Sequence, residues 1–137
     1  MKVKDVMHSV TKVPSSATVA EAAVVMDKNV IGSILVEEDG EIVGIVTERD
    51  VLRKIVALGK DPAKIKIKEI ASIPLIGIHE NATLSEASDK MAGYKIRRLV
   101  VISNNIIIGI VTTRDISNNV NYLLAKGASN YLPSYYP

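Results

Sequence analysis

Gly44-Ile45-Val46-Thr47-Glu48-Arg49-Asp50 returns further along the chain as Gly109-Ile110-Val111-Thr112-Thr113-Arg114-Asp115. In each copy a short apolar run ends on Thr, and Thr-x-x-Asp spacing then marks the first turn of a helix. A single offset of 65 aligns residues 18–51 with 83–116 without a gap, and 13 of those 34 positions are identical. Identity at one fixed period over such a length is the mark of a duplication. The fold is therefore read as one unit written twice.

Working outward, Thr18 with Glu21 and Thr83 with Glu86 have capping-box spacing. They open amphipathic helices expected over 19–28 and 84–93, with Ala22, Val25 and Met26 on the apolar face of the first. Buried strands follow at Ser33–Val36 and Leu99–Ile102. The turns at Glu38-Asp39-Gly40-Glu41 and Ser103-Asn104-Asn105 lead to second strands at 42–47 and 106–112. Second helices are expected near 49–58 and 114–125, and short strands at Val10–Val13 and Leu75–Ile78 precede the first helices. The fold class is α/β (α+β), as tandem β-α-β-β-α repeats. The expected division is 1–58 for the first repeat, 59–69 for a linker, 70–125 for the second repeat and 126–137 for an irregular, Tyr-rich tail.

Composition narrows the function. The 137 residues include no Cys, Phe or Trp, so the core is built from Val, Ile, Leu, Ala and Met. Disulfides, thiolate metal sites and Cys nucleophiles are excluded. His8 and His79 have no ligand spacing and read as surface or loop residues. A net charge of +2 is too small to indicate nucleic acid, and no basic run is interleaved with aromatics. No apolar run reaches the roughly 18 residues of a membrane span, and the N-terminus lacks a signal-peptide pattern. A cytoplasmic protein is expected.

The duplicated unit, with its second hairpin strand ending in G-h-h-T-x-x-D, resembles the CBS (cystathionine β-synthase) domain over about residues 3–125. The paired form is the Bateman module, and the expectation is a small stand-alone protein of that kind. The resemblance implies two repeats related by a pseudo-twofold axis, with clefts between them that take adenine-containing ligands such as AMP, ADP, ATP or an adenosyl compound. In such clefts the Asp accepts from ribose hydroxyls. The Thr hydroxyl and the helix start face phosphate, while strand backbone reads the adenine edge.

Carried onto this sequence, the resemblance implies one cleft of Thr47 and Asp50 with Leu75, Ile76, Gly77 and Ile78 and with Ile96, Arg97 and Arg98. The other joins Thr112 and Asp115 to Thr11, Val13, Ser16, Ala22, Ile31, Gly32 and Ser33. Arg97 and Arg98 offer a charge-assisted grip on phosphate that Gly32 and Ser33 do not, so the first cleft is expected to be the tighter. Adjacent strand residues point to opposite faces, which argues against both arginines reaching one ligand.

Each of these features also has a structural reading. Thr-x-x-Asp serves as a helix N-cap, a role compatible with binding, and the Thr-x-x-Glu pairs are read as caps alone. Arg97-Arg98 reads equally as solvated charge, and the lysines of 60–68 as a solvated linker. No catalytic fingerprint is present, so no catalytic residue, metal or cofactor is assigned. The expected function is a non-catalytic regulatory module with an adenine nucleotide as ligand, a homodimer, and an unidentified protein as possible target. The alternative is a structural dimerisation or protein-interaction module whose clefts stay empty.

Overall fold

The computed structural model describes residues 1–73 and 75–119. The described residues divide into two compact units: one is Val10–Leu75, and the other joins Met1–Ser9 to residues 76–119. The expected tail and residues 120–125 of the last helix lie outside the described residues.

The Val10–Leu75 unit holds β1 (Lys12–Pro14), α1 (Val19–Asn29), β2 (Ser33–Glu38), β3 (Glu41–Thr47) and α2 (Glu48–Val51). Its sheet has the order β1-β2-β3, with β1 parallel and β3 antiparallel to β2. The other unit repeats this with β4 (Gly77–His79), α3 (Leu84–Tyr94), β5 (Arg98–Ser103), β6 (Ile106–Thr112) and α4 (Thr113–Asn118). Its sheet order is β4-β5-β6. These are the β-α-β-β-α repeats expected from the sequence.

Local chemistry explains the elements. Thr18 and Thr83 cap α1 and α3 by accepting from the N–H groups of Glu21 and Glu86. Both helices end in a left-handed residue, Val30 (φ 53°) and Lys95 (φ 56°). The N–H of Ile31 then reaches the Met26 carbonyl, and that of Ile96 the Met91 carbonyl, which closes a Schellman motif. The β2–β3 turn has Asp39 and Gly40 at positive φ, and the β5–β6 turn has Asn104 and Asn105, residue types that tolerate the left-handed region. Register shifts follow Val36 and Val101 in the two copies.

Several element bounds differ from expectation. β1 and β4 begin two residues later than Val10 and Leu75, although the carbonyls of Thr11 and Ile76 already accept from Leu35 and Val100. β2 runs on to Glu38 because its pairing with β3 continues past the register shift into the tight turn. The helix after Thr47 widens at Leu52–Val56 into a π-helical turn, with the Ala57 N–H bonded to the Leu52 carbonyl.

The expected linker holds short 3₁₀ turns, the first at Pro62–Lys64. Ile67–Ile70 forms a 3₁₀ turn, and Ile67 is wholly buried with Val19, Met26, Ile34, Val46 and Ile55. Val3–Asp5 is its counterpart, with Val3 buried among Leu84, Met91, Leu99 and Val111. Matching backbone bonds confirm the equivalence. Val3 N–H donates to the Ala82 carbonyl and Ile67 N–H to that of Ala17. His8 pairs with Ile110 across an antiparallel bridge, as Ser72 does with Ile45. These leading segments lie close over Gly109 and Gly44: a Cβ on Gly109 would sit 2.6 Å from Met7 Sδ, and one on Gly44 2.9 Å from Ala71 Cβ.

Candidate functional site

In each unit the antiparallel hairpin delivers Thr-x-x-Asp to the end of its last strand. β2 begins where β3 ends, so Ser33 is the cross-strand partner of Thr47. In the other unit Arg98 is the partner of Thr112. Directly paired residues stand side by side on one face of a sheet. The Glu48 N–H donates to the Gly32 carbonyl and the Thr113 N–H to the Arg97 carbonyl, which fastens each helix start to the head of the neighbouring strand.

Both Asp residues complete a capping box. Asp50 Oδ2 accepts from Thr47 N at 2.9 Å and from Thr47 Oγ1 at 3.2 Å. Asp115 Oδ2 accepts from Thr112 N at 2.8 Å and Thr112 Oγ1 at 3.0 Å. The Thr hydroxyls accept in turn from the Asp N–H groups. The capping role of Thr-x-x-Asp is thus present in both copies, and it uses only one carboxylate oxygen.

The other oxygen meets different partners. Lys54 Nζ stands 3.3 Å from Asp50 Oδ1 while donating to the Ile70 carbonyl at 2.9 Å. Asp115 Oδ1 is bonded to His8 Nε2. Asp115 is 5% exposed and is the buried charged side chain among the described residues, whereas the His8 side chain is 67% exposed. Sequence reading placed His8 on the surface, as it is, and missed this contact; a partner 107 residues away leaves no local signal.

The remaining candidates have varied surroundings. Arg97 is exposed and Arg98 half-buried. Arg98 Nε is buried without a hydrogen-bond partner, the single such side-chain atom among the described residues. Thr11 sits at the Ser33 end of its sheet, through its bond to Leu35. Ser16 follows β1 at the opposite end, beside Glu38, Lys66 and Lys68. Val13, Ala22 and Ile78 are buried core residues; Ile31 is partly buried against the core that holds Val19 and Met26, and Ile76 and Ile96 against the one that holds Leu84 and Met91. Gly77 begins β4, and an added Cβ there would lie 2.5 Å from Ile102 Cδ1. His79 is exposed, with Nδ1 accepting from the Asn81 N–H. Among the described residues no group of three His, Cys, Asp or Glu could hold a metal. No helix there is long and apolar enough to cross a membrane.

Comparison with known proteins agrees with this duplicated architecture. The CBS-domain protein YhcV of Bacillus subtilis is 36% identical over 85% of this chain and 84% of its own length. The hexameric CBS-CP12 protein from bloom-forming cyanobacteria superposes with a TM-score of 0.83 at 28% identity, over 90% of this chain and 73% of that one. The CBS domain pair of protein MJ0100, solved with 5′-methylthioadenosine and S-adenosylmethionine, gives a TM-score of 0.78 at 28% identity, over 90% of this chain and 98% of that one. The CBS-domain family model matches twice, at residues 3–57 and 67–122. With two copies covering most of its length, the chain belongs to the CBS-domain family.

Proposed function

We propose that the chain is a non-catalytic regulatory module that binds an adenine nucleotide through the Thr-x-x-Asp turn of its repeats. The observation that carries this reading is the division of labour within each carboxylate. Oδ2 is committed to the cap, and Oδ1 takes no part in it. An ionised carboxylate only accepts hydrogen bonds, which suits the paired hydroxyls of a ribose. Arg98 adds support: a buried Nε without a partner carries a desolvation cost of about 1–3 kcal/mol, which an anionic ligand group would offset. The MJ0100 pair, with its adenosyl ligands, supports the ligand class.

Self-association belongs to the same reading. Leu52, Val56 and Leu58 are each more than half exposed on and after the π turn. An apolar surface of this kind suits burial against a second copy. Light scattering should give twice the chain mass at micromolar concentration, and the single-chain mass would reject the dimer.

Calorimetry with AMP tests the binding reading. Asn caps a helix nearly as well as Asp, so Asp50→Asn should leave melting of the ligand-free protein almost unchanged. A hydrogen bond to a charged group is worth about 1.5–3 kcal/mol, so nucleotide affinity at that site should fall about ten- to a hundredfold. Unchanged affinity in both Asp50→Asn and Asp115→Asn would reject the ribose role of the aspartates, and absence of AMP binding in the unsubstituted chain would leave the dimerisation module with empty sites as the function.

A further inference from the structure

We propose that His8 is an internal competitor for Asp115 Oδ1, so that the second repeat admits a ligand only when the imidazole is displaced, whereas the first repeat has no such guard. This rests on the nucleotide-binding reading above and adds a reason for the two repeats to respond at different ligand concentrations.

The difference is written into otherwise equivalent backbones. His8 and Ser72 occupy matching bridge positions, opposite Ile110 and Ile45. At one the ring reaches the carboxylate oxygen that the cap leaves over. At the other the side chain is a short hydroxymethyl, and the oxygen of Asp50 faces Lys54, whose ammonium is also bonded to the Ile70 carbonyl. An ammonium has three donors, so Lys54 can stay near Asp50 while that carboxylate accepts from a ligand. An imidazole Nε2 presents a single atom to one oxygen, and it occupies the place a hydroxyl would take.

Burial sets the terms of the exchange. Asp115 is 5% exposed, and a carboxylate so enclosed is costly to leave unpaired. The His8 side chain is 67% exposed, so the displaced ring returns to water without uncovering a core. Opening therefore substitutes one partner of Asp115 for another. A contact closed about nine-tenths of the time would raise the apparent dissociation constant about tenfold.

The test uses the full chain with AMP as the probe. Asp50→Asn isolates the Asp115 site, and His8→Ser is then added to install the residue found at the matching position. Calorimetry should show AMP binding about five- to tenfold tighter in Asp50→Asn/His8→Ser than in Asp50→Asn. In Asp50→Asn itself, the His8 imidazole ¹⁵N signals should move on saturation with AMP, as the ring leaves the carboxylate. Equal affinities, or imidazole signals that stay fixed at saturation, would overturn the guard while leaving nucleotide binding intact. Absence of AMP binding in the unsubstituted chain and every variant would overturn both readings.

Discussion

The two repeats share their backbone devices and differ in the charges hung on them. Caps, left-handed helix ends, type of turn and register shift recur at matched positions. Around them the side chains have been redistributed. In the first sheet Ser15 Oγ donates to Glu38, and in the second Ser103 Oγ donates to Glu80, so the Ser–Glu pair survives with its members exchanged between strands. Ser33 faces Thr47 where Arg98 faces Thr112. Sheet pairing and capping demand particular geometry and tolerate little drift. Polar groups at sheet ends need only be satisfied, and can diverge into unequal binding chemistry.

The largest effect should come from the leading segments. Removing buried methyl groups at Ile67→Ala should cost about 2–4 kcal/mol, and Val3→Ala about 1–3 kcal/mol, read as lowered urea midpoints. A loss below about 0.5 kcal/mol in either would show that the segment is not an integral part of its repeat.

Arg98 sharpens the chemical comparison. Arg98→Ala should weaken AMP about tenfold, roughly 1.4 kcal/mol, while adenosine binding changes little, because only the phosphate contact is lost. Ser33→Ala should leave both ligands nearly unaffected. Repeating Arg98→Ala in the Asp50→Asn and Asp115→Asn backgrounds assigns the arginine to one Asp or the other. Equal losses for AMP and adenosine would mean that Arg98 acts through packing.

Smaller effects test the shared devices. Val30 is 90% exposed yet holds φ at 53°, a region unfavourable to a β-branched residue. Val30→Gly should stabilise by about 0.5–1 kcal/mol, and Lys95→Gly by less, because Lys is not branched at Cβ; thermal melts decide. The smallest effect concerns Glu38, whose carboxyl is held below its ordinary pKa chiefly by the hydrogen bond from Lys68. A lowered folded-state value contributes stability above the unfolded pKa, and that contribution is lost as pH falls through the folded value. An NMR titration should show the Glu38 midpoint below the normal glutamate range, returning towards it in Lys68→Met. The second repeat has Ser103 at this place and should show no such titration.

The sequence made the repeat, the caps and most strands legible because these are local: Thr-x-x-Glu, Asp-Gly and the apolar runs carry their geometry within a few residues. The leading segments were hidden by a change of offset. Val3 matches Ile67 at 64, whereas Lys12 matches Gly77 at 65, because one extra residue lies between Ser72 and Gly77. A gapless comparison breaks there, and the lysines of 60–68 then read as solvent-facing linker. Thr47, Asp50, Thr112 and Asp115 were readable as a recurring turn. The partner of Asp115 was not, since nothing near His8 specifies a contact with residue 115.

The way the chain is dealt between its compact units has a consequence for biosynthesis. One unit is an uninterrupted stretch from Val10 to Leu75, and it can close while the remainder is still being translated. The other needs Met1–Ser9, yet the Ile110 edge on which His8 pairs is made about a hundred residues later, after the whole of the first unit. Until then Val3 has no core to enter and the segment's backbone has no strand beside it. The delay is a matter of timing more than of equilibrium, since each doubling of a closed loop adds only about 0.6 kcal/mol of entropy cost. While the chain between them is being made, the Met1–Ser9 segment therefore waits with its pairing groups in water, and the first unit closes without it.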